Sequence, residues 1–131
     1  MDIRDIRIGD VLATKSMAKD SLDSPRVETI DGLYNMITLR LDEYSSFEVR
    51  VNDIEYVKAS KNTLENIGVI FEFMSQSAIL QLDKMQFVIS KHEYKDCYVA
   101  TSKYEKKNKS INFTYIHELQ HWLWDEYRLT I

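Results

Sequence analysis

The 131 residues are 44% hydrophobic and 29% charged, the balance of one globular domain with room for a core rather than of a disordered chain. The formal charge of −4 argues against non-specific binding to phosphate backbones, and the acidity is concentrated in residues 1–60, with 8 Lys+Arg against 12 Asp+Glu, whereas residues 61–131 hold 9 of each. Cys97 is the single cysteine, which excludes an intramolecular disulfide. No run approaches the roughly 18 apolar residues of a membrane-spanning helix, and residues 1–5 have neither the basic start nor the apolar core of a signal peptide, so a cytoplasmic protein is expected.

In chain order, alternation of apolar and polar residues predicts strands more often than helices. Ile6-Arg7-Ile8 alternates as a strand and ends at Gly9-Asp10, a bulge or turn before Val11 and Leu12, and residues 13–26, with three serines and the only proline, Pro25, form a polar loop. Strands follow at 27–30, closed by the turn pair Asp31-Gly32, at 33–41, with Leu33, Ile37, Leu39 and Leu41 on one face, and at 47–51. A short helix starts at Asn62 or Thr63, carries Glu65 in its first turn and stops at Gly68; residues 69–73 return to extended structure.

Four further strands are predicted at 78–82, 85–90, 96–101 and 110–114, the last two joined by a lysine-rich hairpin at 102–109. The chain then closes with a helix from about Tyr115, with Thr114 as its N-cap. At 100° per residue, Ile116, Leu119, Leu123 and Tyr127 form the stripe expected to pack on the sheet, flanked by Gln120 and Trp124, with His117 and His121 at its edge. The expected class is α+β, mainly antiparallel, in one domain: a β-rich part at 1–60, built as a curled sheet or small barrel, and an α+β part at 61–131 with a second sheet and the terminal helix packed on it.

His117-Glu118-Leu119-Gln120-His121 is a literal H-E-x-x-H, in which two histidines one helical turn apart could hold Zn²⁺ and the glutamate could act as general base. The extended form of that motif needs Gly where Trp124 stands and His where Tyr127 stands, and no third ligand is evident in the ten residues after His121. The ordinary reading is two boundary histidines bonded to backbone or solvent. His92 and Cys97 could join a composite site only through the tertiary fold, and Cys97 in a strand pattern reads as a small apolar residue.

Other residues suggest binding. Lys103, Lys106, Lys107 and Lys109, interleaved with Tyr104, could contact RNA phosphates and stack on a base, or could form a solvated hairpin tip. Trp122 falls on the helix side shared with Glu118, Asp125 and Glu126, so that another part of the chain covers it or a partner does.

Three segments, Arg7-Ile8-Gly9-Asp10, Thr63 to Phe71 (TLENIGVIF) and Tyr115-Ile116-His117-Glu118-Leu119-Gln120, resemble a group of small proteins carried by phages and mobile elements of the Bacteroidota. In similar chains Gln and Asn commonly stand where this one has Glu118 and His121, so the H-E-x-x-H would be local to this sequence. The resemblance implies an accessory gene and brings no enzymatic activity or cofactor with it. The expectation is therefore a non-enzymatic binding protein that inhibits a host defence system, of the anti-CRISPR type, by occupying an effector protein or its guide RNA. Asp2, Asp5, Asp10, Asp20 and Asp23 are the first candidates to face a basic channel of such a partner. The alternative is a small zinc-dependent hydrolase using His117, His121 and Glu118.

Overall fold

The computed structural model describes residues 2–15, 25–72, 77–103 and 109–131 and divides the chain into two compact units, Met1–Val57 and Lys58–Ile131. The class is α+β, with short antiparallel strands dominating both units. Among the described residues no helix is long and apolar enough to cross a membrane.

The first unit holds a two-stranded and a three-stranded antiparallel sheet around one apolar cluster, where a single curled sheet or small barrel was expected. β1 (Leu12–Thr14) pairs with β5 (Ile54–Tyr56), while β2 (Arg26–Asp31), β3 (Met36–Arg40) and β4 (Ser46–Arg50) form a meander. A bridge from Val11 to Arg26 and the bond from Leu12 N to Pro25 O (3.1 Å) join β1 to the start of β2. Leu12, Val27, Ile37, Leu39, Val51 and Ile54 are buried together, as period-two strands that bury one face require.

Two further expectations are corrected in this unit. Ile6-Arg7-Ile8 is no strand: a 3-10 turn at Ile3–Asp5 precedes it, Ile6 is buried, and Arg7 enters a tight turn whose N–H is taken by the Asp10 carboxylate (2.8 Å). Gly9 sits there at φ +91°, a conformation that a side chain would oppose. The third strand begins at Met36 rather than Leu33, because the Asp31 carboxylate accepts from Leu33 and Tyr34 N–H and Asn35 takes φ +56°, which makes residues 31–35 a turn and leaves Leu33 84% exposed.

In the second unit, α1 (Lys61–Asn66) starts one residue before the expected position, since Ser60 and Thr63 cap each other: Ser60 Oγ accepts from Thr63 N (3.2 Å) and Thr63 Oγ1 from Ser60 N (2.8 Å). It ends at Gly68, as expected, at φ +101°. β6 (Ile70–Phe71), β7 (Ser77–Leu82), β8 (Met85–Lys91), β9 (Tyr98–Ser102) and β10 (Ser110–Phe113) follow as an antiparallel meander in the order β10-β9-β8-β7-β6. Its inward face carries Ala78, Leu80, Phe87, Ile89, Ala100 and Phe113, all buried. α2 (Ile116–Tyr127) follows β10 after two residues and buries Ile116, Leu119 and Leu123, three members of the predicted stripe.

Candidate functional site

The N-terminus of α2 assigns a structural task to Glu118. Tyr115, rather than Thr114, is the N-cap, and the Glu118 carboxylate reaches back to accept from both Thr114 N (3.1 Å) and Tyr115 N (2.9 Å) through Oε1. An acidic side chain at the third helical position satisfies otherwise orphaned N–H groups and meets the positive end of the helix dipole. One of the two carboxylate oxygens is thereby engaged by two backbone donors, which fixes the side chain against the start of its own helix.

His117 is buried, with its ring stacked near Tyr115 (centroids 6.0 Å, 26°) and set edge-on to His121 (5.4 Å, 77°). His121 is half-buried. The two imidazoles are therefore close, as residues one helical turn apart must be. Among the described residues, however, no group of three or more His, Cys, Asp or Glu is arranged to hold a metal ion.

His92 and Cys97 belong to the turn between β8 and β9. His92 Nδ1 accepts from Tyr94 N and Lys95 N (both 3.1 Å), the His92 backbone N–H donates to Cys97 O (2.8 Å), and the Cys97 side chain is buried. Sequence reasoning missed this imidazole as the cap of a tight turn, although a histidine two residues before a Tyr-Lys pair in a polar connection is the only available signal.

The two tryptophans of α2 stand the opposite way from the wheel. Trp122, placed by the sequence on the polar side, is half-buried and meets Phe87 of β8 edge-on (5.7 Å, 74°) as well as Tyr127 (5.3 Å, 79°). Trp124, expected beside the buried stripe, is 45% exposed, with the Arg128 guanidinium 5.4 Å above its ring. Asp125 and Glu126 are exposed, and Glu126 holds Lys109 at 3.0 Å. Lys109 also lies over the Tyr127 ring (5.8 Å), so this lysine is drawn to α2. Lys103 is exposed; Tyr104, Lys106 and Lys107 lie outside the described residues.

The acidic candidates separate in the same way. Asp10 is buried and occupied by the Arg7 turn, which removes it from any surface that could face a basic channel. Asp2 is hydrogen-bonded by Arg4, whose guanidinium and backbone N–H hold its carboxyl down at about 2. Asp5 is exposed, and Asp20 and Asp23 lie outside the described residues. The exposed pair Lys58 and Asp96 (2.6 Å) ties the segment before α1 to the β8–β9 turn; the hydrogen bond between them lowers the Asp96 pKa and raises that of Lys58.

Comparison of the chain with protein-family models, with curated proteins and with solved structures finds no match.

Proposed function

We propose that this is a non-enzymatic binding protein, an accessory product of a phage or mobile element that inhibits a host defence effector of the CRISPR type by occupying its surface. The observation that carries the non-enzymatic half is the double hydrogen bond from Thr114 and Tyr115 to Glu118, which commits the glutamate of the H-E-x-x-H to the end of its own helix. The defence half rests on the resemblance of the three sequence segments to phage and mobile-element chains. Partner contact is assigned to the outward face of α2, where Trp124 offers an accessible indole under Arg128 and Asp125 stands exposed beside it. Tryptophan and arginine dominate binding energy when a partner desolvates them. Trp122 supports that face from beneath through Phe87.

The test is titration of the purified protein into reconstituted effector–guide complexes of the several CRISPR types, with target cleavage as the readout. Stoichiometric loss of cleavage with at least one type, retained by Glu118→Gln and weakened by Trp124→Ala, is the expected result. Undiminished cleavage by every type would remove the defence assignment. A zinc-dependent hydrolysis lost in Glu118→Gln would reinstate the hydrolase.

A further inference from the structure

We propose that the free edge of β4 is a self-association surface, at which a second copy of this chain adds its own β4 antiparallel with Val49 on the two-fold axis. β4 ends the three-stranded sheet and, among the described residues, has a strand partner on one side only. The phase of the β3–β4 ladder follows from the bonds at its two ends, Val51 N to Asn35 O (3.0 Å) and Leu41 N to Ser45 O (2.9 Å). Counted inward in steps of two, Val49 exchanges hydrogen bonds with Ile37 and Phe47 with Leu39, so the N–H and C=O groups of Glu48 and Arg50 point away from β3. Phe47, Glu48, Val49 and Arg50 line a solvent-open cleft of about 530 Å³ together with Thr14, Lys15, Met36 and Asp53. Unpaired peptide groups facing open space are a template for another strand.

Charge selects the occupant and its register. Glu48 and Arg50 are exposed on the same face of the strand, opposite the buried Ile37 and Leu39, and among the described residues neither has an ionic partner. An incoming copy must match outward-pointing residues with outward-pointing residues. With Glu48 on the axis two carboxylates oppose each other, and with Arg50 on the axis two guanidinium groups do, both unfavourable on adjacent strands. With Val49 on the axis, Glu48 of each copy lies opposite Arg50 of the other. Both residues of each such pair then exchange backbone bonds, and the half-exposed Val49 side chains meet at the closer, non-hydrogen-bonded position. The strand thus carries its own complement. The contact is short, which places the association in the weak, reversible class. It involves none of the α2 residues assigned to partner contact and stands or falls independently of them.

Sedimentation equilibrium of the full chain from micromolar to near-millimolar concentration should show a reversible monomer–dimer equilibrium. Glu48→Arg alone and Arg50→Glu alone each set like charges against one another across the axis and should each weaken the dimer by about tenfold. The double exchange restores both pairs and should return the wild-type dissociation constant. Thermal melts followed by circular dichroism should show all three variants folded, because both side chains are exposed. A monomer at every concentration overturns the proposal, as does a dimer that the single reversals leave unchanged or that the double exchange fails to restore.

Discussion

A glutamate between two histidines can serve a metal-bound water or the end of its own helix, and at Glu118 the helix end holds Oε1. Because Oε1 already accepts two backbone N–H bonds, replacement by glutamine keeps an acceptor in place and removes only the charge near the helix N-terminus. Glu118→Gln should therefore lower stability by about 0.5 kcal/mol and Glu118→Ala by about 1 kcal/mol, measured by urea unfolding, with binding retained by both once folded. Abolished function with unchanged stability in Glu118→Gln would point to a catalytic carboxylate instead. The tryptophans make the complementary case. Trp122→Ala removes a ring packed on Phe87 and should cost about 2 to 3 kcal/mol of stability, whereas Trp124→Ala should leave the melting temperature within a few degrees and weaken partner binding by about 2 kcal/mol. The reverse pattern would return the interface to Trp122.

At the scale of elements, the Lys58–Asp96 pair fastens the segment that leads into α1 to the β8–β9 turn. The shared hydrogen bond depresses the Asp96 pKa, so its contribution is present above the ordinary aspartate value and is lost as pH falls through the lowered one. The same bond raises Lys58, whose contribution is present below the ordinary lysine value and is lost only as pH rises through the raised one. Both groups are exposed, so the effect is small. The melting-temperature difference between wild type and Asp96→Asn should be constant from mildly acidic to mildly alkaline pH and should vanish in strong acid; a difference that persists there would mean the asparagine disturbs the turn itself.

How much of these elements could be read from the sequence depends on what fixes each one. The sheet of the second unit and the α2 stripe follow from periodicity, because Phe87 and Ile89, or Leu119 and Leu123, are buried for the same reason that they alternate or recur. β5 did not, because three residues are too few to show a period, and at Ile6-Arg7-Ile8 a single carboxylate–amide bond overrode the alternation, although the Gly9-Asp10 pair did mark the turn. The cap on α2 was hidden by a tyrosine where the familiar pattern has Ser or Thr. The wheel put Trp122 on the polar side because it could not show that Phe87 stands within its reach; a long indole is buried or exposed by what faces it. Thus the scaffold of the candidate site was legible, and the contacts that decide the roles of Glu118, Trp122 and Trp124 were not.

For the molecule as a whole, charge and metal ligands are distributed in ways that bear on function. Residues 1–57 hold 7 Lys+Arg against 12 Asp+Glu and residues 58–131 hold 10 against 9, so the acidity belongs to one unit and the helix assigned to partner contact belongs to the other. Within the second unit the three histidines serve separate ends: His92 caps the β8–β9 turn, while His117 and His121 pack ring to ring on α2. A structural or catalytic zinc requires at least three protein ligands converging on one point, and two imidazoles alone bind the ion weakly. The described residues bring no third His, Cys, Asp or Glu to that pair. Protein purified without a histidine tag should accordingly contain far less than one equivalent of zinc by elemental analysis, and a chelator should leave its melting temperature unchanged, since an ion that does not bind the folded state cannot stabilise it. One equivalent of zinc that is lost in His117→Ala and in His121→Ala would overturn this reading.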